Sequence, residues 1–202
     1  QGLPWTLNIA ISEIWQAANM SLANAWMLTQ GAVDAIQEHG TSEQKATYLP
    51  KLISGEWSGT MNLTEPNAGS DVGALRTKAV AENGAWKITG TKIFITHGDQ
   101  DMSENVVHLV LARTPNAPEG TRGISLFVVP KLMVEPDGSL GTRNDLRVVS
   151  LEHKLGHMAS PTAVMSYGDN EGAIGYLLGE ENQGMACMFT MMNNARLNVA
   201  VQ

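Results

Sequence analysis

The sequence predicts an α+β fold: N-terminal helices, a central antiparallel β-barrel or sandwich-like unit, and the start of a C-terminal helical bundle. Three observations carry this. Apolar residues recur at helical spacing before Gly55, they alternate in twos from Trp57 onward, and helical spacing returns after Gly184. The implied units are 1–56, 57–181 and 182–202, the middle one all-β.

Residues 7–38 read as helix, with Leu7, Ile9, Ala10, Ile14, Ala17, Met20, Leu22 and Met27 in phase and no strong breaker before Gly31. His39-Gly40 ends that region. Thr41-Ser-Glu-Gln44 has the spacing of a capping box and opens a short helix through about Leu52, although Pro50 lies inside it. Strands are expected at Ser58–Thr64, Leu75–Val80, Ala85–Thr89, Thr91–Thr96, Val106–Arg113, Gly123–Pro130, Arg147–Leu151, Thr162–Tyr167 and Ala173–Leu177. Asn83-Gly84 between two alternating runs is a strong hairpin signal. Met185, Met188, Phe189, Met192, Leu197 and Ala200 then mark the last helix.

Composition excludes several function classes. Apolar residues are 43 % and charged residues 16 %, as in a globular chain rather than a disordered one. The net charge of −7 comes without any Lys/Arg cluster, which argues against nucleic-acid binding. No apolar run reaches the length of a transmembrane helix, and none resembles a signal peptide. Cys187 is the only cysteine and has apolar neighbours, so it reads as a buried thiol in a reducing, cytoplasmic setting. Gln1 in place of an initiator Met, and a helical pattern still running at Gln202, point to a piece of a longer protein.

Chemistry is harder to place. His153 and His157 are four apart, but Gly156 breaks the helix a metal pair would need, and no third ligand stands nearby. Gly69-Ser70-Asp71 is no nucleophile elbow, and a dinucleotide-binding glycine fingerprint is missing. What stands out is Thr64-Glu-Pro-Asn-Ala-Gly-Ser-Asp-Val72, a crowd of small polar residues directly after a strand. Such a loop lets a ligand approach the backbone, yet Asn, Gly, Ser and Asp are also what an ordinary turn prefers.

Three segments together resolve that choice. They are the 64–72 loop, Gly90-Thr-Lys-Ile-Phe-Ile-Thr96, and His153-Lys-Leu-Gly156 with Ser160-Pro-Thr162 followed by Gly179-Glu-Glu-Asn-Gln-Gly184. In this order and spacing the chain resembles the flavin-dependent acyl-CoA dehydrogenases over essentially its whole length. The stretches "ISGEWSGTMNLTEPNAGSDVGALRT", "FITHGDQDMSENVVHLVLAR" and "GISLFVVPK" look most like the branch that includes 3-methylmercaptopropionyl-CoA dehydrogenases.

The resemblance implies FAD as cofactor, an acyl-CoA substrate, an electron-transfer flavoprotein as acceptor, and a homo-oligomer. It places flavin contacts at Met61, Leu63, Thr64, Gly69, Ser70, Phe94, Ile95 and Thr96, with Ser70 also touching the pantetheine arm of the substrate. Met61 and Phe94 stand where other members often carry a larger aromatic residue. Asn193, Asn194 and Arg196 fall where members contact the CoA thioester; a solvated helix Arg explains Arg196 equally well. Glu65 and Asp71 read as loop-organising acids that accept backbone hydrogen bonds. One of the family's two positions for the catalytic Glu is Ala195 here; the other lies beyond Gln202, so the resemblance implies a piece without its base. A non-catalytic β-unit that mediates assembly, and an oxidase or monooxygenase of the same superfamily using O2, are the alternatives.

Overall fold

The computed structural model describes residues 4–202. Residues 1–3, the start of the predicted first unit, lie outside the described residues. The order is helical, then β, then helical: α1 (Trp5–His39), α2 (Ser42–Ser54), ten strands, and α3 (Gly184–Ala200). The fold class read from the alternating periods is the one observed.

α1 is broken where no breaker was expected. Asn19 has extended backbone (φ −161°, ψ 94°), and its Oδ1 accepts from the Leu22 N–H at 3.1 Å, so it caps a new helix in mid-element. The two arms then pack alongside each other, with Trp15 edge-on to Trp26 at 5.6 Å. Gly31 continues the helix, as the reading of residues 7–38 requires. A side chain there would come within 2.7 Å of Met191, so this glycine lets α3 approach α1. α2 opens with the predicted capping box, both reciprocal bonds present, and ends at Gly55 in the left-handed region (φ 84°). It runs two residues past Leu52.

The strands are β1 (Trp57–Asn62), β2 (Lys78–Glu82), β3 (Ala85–Thr96), β4 (Asn105–Ala112), β5 (Ser125–Pro130), β6 (Leu132–Val134), β7 (Leu140–Arg143), β8 (Leu146–Leu151), β9 (Thr162–Tyr167) and β10 (Ala173–Leu178). The main sheet runs β1-β4-β5-β10-β3-β9-β8, with β2 also on β3, and β6-β7 pair separately. All main-sheet pairs are antiparallel except β1 with β4, which is parallel. The two strands expected at 85–89 and 91–96 are one, irregular between Lys92 and Ile95. β2 starts three residues later than expected, because the Arg76 and Thr77 N–H groups go to the Glu65 carboxylate and not to a ladder. The β6-β7 hairpin has too few residues to show a period.

Two cores result. One joins the helices to the outer face of the sheet through Leu28, Ala32, Ile36, Trp57, Leu109 and Met188. The other fills the curl of the sheet with Ile88, Ile95, Val110, Phe127, Met165 and Tyr167. β4 feeds both, Leu109 and Leu111 outward and Val110 and Ala112 inward, so every residue of that strand is buried. No helix among the described residues is long and apolar enough to cross a membrane.

Candidate functional site

The curled sheet brings the end of β1 against the end of β3. The Ile93 N–H donates to the Thr64 carbonyl at 2.8 Å, joining the two segments that the sequence singles out. Beside this bond lies a buried ion pair. Lys92 Nζ, 0 % exposed, donates to Glu65 Oε1 at 2.8 Å and to the Leu63 carbonyl at 3.0 Å. The Glu65 carboxylate also accepts from the Arg76 N–H at 2.6 Å and the Thr77 N–H at 3.1 Å.

Burial is the largest influence on both charges. It pulls Lys92 down to about 8 despite the attraction of Glu65. At Glu65 the Lys92 charge and the donated hydrogen bonds outweigh burial and hold the carboxyl below its usual range. Glu65 is thus a loop organiser, as expected. Asp71 is not one in the same way: its carbonyl accepts from the Ala74 N–H, but its carboxylate caps no backbone N–H at the 3₁₀ turn Val72–Ala74 that follows.

The rest of the loop is fastened from below. Glu65 and Ala68 exchange backbone hydrogen bonds across a tight turn, and Asn67 Nδ2 donates to the Ala74 carbonyl at 2.8 Å. The Arg113 guanidinium spends its donors on the carbonyls of Leu75, Gly73, Pro118 and Gly120. Gly69 and Ser70 remain exposed at the tip. A side chain at Gly69 would meet nothing within 4 Å, and its φ is not positive, so nothing within this chain requires glycine there. Close approach of something outside the chain would.

Met61 and Leu63 are half-buried against the outer core; Thr64 and Thr96, one in each of the two segments, are half-buried as well, and Thr96 pairs with Thr162 of β9. The hydroxyls of Thr64, Ser70 and Thr96 have no hydrogen-bond partner among the described residues. At the irregularity of β3, Phe94 adopts φ 60° and stands 56 % exposed. A left-handed phenylalanine is strained, and a bulge is a common way to re-aim a side chain at a site. Ile95 points the other way, buried in the inner core, so only its backbone is available to a ligand. His97 follows with φ 50°, its Nε2 3.3 Å from Ser160 Oγ, and burial lowers its pKa.

α3 is placed differently from the rest. Asn193 and Arg196 are exposed, whereas Asn194 is buried with its Nδ2 donating to Asp34 on α1 at 2.6 Å. Ala195 is half-buried. His153 and His157 join no metal-ligand group of three or more among the described residues; His157 Nδ1 lies 3.5 Å from Asn24 Nδ2.

Sequence reading missed two buried polar groupings next to these segments. The Lys92–Glu65 pair is one, though its signal was present: alternation puts Lys92 in phase with the buried Ile88, and a buried Lys needs an acid. The other is a polar chain inside the curl. The Tyr167 hydroxyl donates to Asn62 Oδ1 at 2.8 Å, Asn62 Nδ2 donates to Thr60 Oγ1 at 2.8 Å, and Thr60 Oγ1 lies 2.7 Å from His108 Nδ1. With Asn62 held inward, Met61 and Leu63 must face outward.

The profile "Acyl-CoA dehydrogenase, middle domain" matches residues 60–169, and "Acyl-CoA dehydrogenase, N-terminal domain" matches residues 1–56. The chain is 58 % identical over 202 residues to the 3-methylmercaptopropionyl-CoA dehydrogenase of Ruegeria pomeroyi, covering 100 % of this chain and 34 % of that protein. It is 45 % identical over 203 residues to a butyryl-CoA dehydrogenase of Syntrophomonas wolfei, covering 97 % of this chain and 33 % of that protein. The structure of a glutaryl-coenzyme A dehydrogenase in complex with glutaryl-CoA superposes with a TM-score of 0.77 at 27 % identity, covering 100 % of this chain and 48 % of that one. The chain therefore spans about a third of the length of the curated relatives it matches.

Proposed function

The chain belongs to the acyl-CoA dehydrogenase family, and we propose that it forms the flavin- and acyl-CoA-contacting part of an enzyme that converts an acyl-CoA thioester to a trans-2-enoyl-CoA. The observation that carries this is the Ile93–Thr64 hydrogen bond, which places the loop after β1 beside the bulged end of β3. The unpartnered hydroxyls, the glycine no internal contact requires and the re-aimed Phe94 fit a flat ligand with polar edges. FAD, when bound, supplies the acceptor for the hydride leaving the substrate β-carbon. Thr64 and Thr96 would hold it by their hydroxyls, Phe94 would cover one side, and Gly69-Ser70 would admit the backbone-close approach of the pantetheine arm.

This chain's own residues bind and orient; they do not take the α-proton. An α-proton needs a positioned base, and Ala195 offers only a methyl group. The chain by itself should therefore show no dehydrogenation, and measured turnover with any acyl-CoA would refute that. Both relatives are named for short acyl groups, so short acyl-CoAs are the class to test in the full-length enzyme. A flavoprotein acceptor takes the electrons in this reading; oxygen consumption during turnover would favour an oxidase instead.

The decisive test is an FAD titration of this chain followed by flavin absorbance and fluorescence, with Thr96→Ala as control. Weak saturable binding, weakened further by the substitution, is expected. Binding that ignores the substitution would remove Thr96 from the site.

A further inference from the structure

We propose that the buried Lys92–Glu65 pair is a positioning element: it sets the loop after β1 against the bulged end of β3, so that both present their ligand-facing groups in one register. This rests on the flavin reading above, and extends it to residues that touch no ligand.

Three segments meet in the pair. The Lys92 ammonium grips the Leu63 carbonyl, and the Glu65 carboxylate grips the Arg76 and Thr77 amides where the loop returns. Lys92 itself stands immediately before the irregular part of β3, one residue from the Ile93 N–H that bonds Thr64. One ammonium and one carboxylate thereby determine where residues 63–65, 76–77 and 92–93 lie relative to one another.

Stability is a poor reason for such a pair. Side-chain exposure is 0 % at Lys92 and 3 % at Glu65, so both charges are stripped of water. Buried pairs of this kind are often replaced by apolar or neutral groups without loss, because the attraction little more than offsets the desolvation. What an apolar replacement cannot do is hold a carbonyl and two amides at fixed directions. The loop has that need, since Gly69 and Ser70 stand exposed at its tip and a side chain at Gly69 would meet nothing within 4 Å.

The experiment compares the full chain with the double variant Glu65→Gln/Lys92→Met, using three readouts: thermal midpoint, backbone amide exchange, and FAD titration. A positioning role leaves the midpoint near that of the unsubstituted chain. It speeds exchange at the Ala68 and Ile93 amides by about tenfold relative to those of β4 and β5. FAD affinity falls by about tenfold or more, as when the groups supporting a site's contacts are removed. Unchanged exchange at Ala68 and Ile93 overturns the proposal. So does collapse of the fold in this variant and also in Glu65→Leu/Lys92→Met, which would make the pair a structural necessity. If the unsubstituted chain binds no FAD, the family assignment stands, the flavin contacts assigned to this chain fall, and amide exchange still decides for or against positioning.

Discussion

The Asn194 side chain donates to the Asp34 carboxylate at 2.6 Å, tying α3 to the second arm of α1 across 160 positions of sequence. Asn194 in turn accepts from Asn198 Nδ2 at 2.8 Å, so its amide is occupied on both sides. Burial raises the Asp34 pKa while the Asn194 bond works against it. Asn194→Ala is expected to cost about 1–3 kcal/mol, the penalty for leaving a part-buried acceptor unpaired. Denaturant unfolding measures it. Full stability together with weakened acyl-CoA binding would show the amide serving the ligand instead.

Tyr167→Phe isolates the polar chain in the curl. The hydroxyl is lost, the ring is kept, and Asn62 Oδ1 is left without its donor in a fully buried place. A loss of about 1–3 kcal/mol is expected. A variant as stable as the parent would mean that Asn62 finds another partner and that Met61 and Leu63 do not depend on this bond for their outward facing.

His108 is predicted to make the chain acid-sensitive. Its ring is fully buried, and burial lowers its pKa from 6.5 to about 3. The folded value lies below the unfolded one, so stability is complete above about pH 6.5 and drains as pH falls toward 3, where the folded form must also take up the proton. The expected loss is roughly 1 kcal/mol per pH unit within that window. His108→Asn keeps an acceptor near Thr60 but cannot titrate, so its thermal midpoint should fall less between pH 7 and pH 5. Parallel curves for the two proteins would exclude His108 as the cause.

Phe94 is predicted to set backbone stability against flavin binding. Its left-handed backbone costs about 1–2 kcal/mol, which glycine avoids, and its half-exposed ring returns little by burial. Phe94→Gly should therefore raise the thermal midpoint or leave it unchanged, and weaken FAD binding. A lowered midpoint would show that the ring stabilises the bulge, leaving no trade-off.

Much of this protein was legible in its sequence because period is a local property. Helical spacing before Gly55, alternation after Trp57 and helical spacing again after Gly184 determined the fold class, and Thr41 with Gln44 determined where α2 begins. The motif segments 64–72 and 90–96 could be named for the same reason: their residues are neighbours in the chain. The break in α1 escaped because Asn19 is unremarkable until its side chain caps Leu22. The packing role of Gly31 escaped because it depends on Met191, far along the chain.

Only the tertiary structure decided how the site is held. Glu65 and Lys92 are 27 residues apart, Asn62 and Tyr167 are 105 apart, and neither pair has a pattern that one segment could show. Burial creates these pairings. A charge or an amide removed from water must find a partner, and which partner it finds depends on which strands the curl of the sheet brings together.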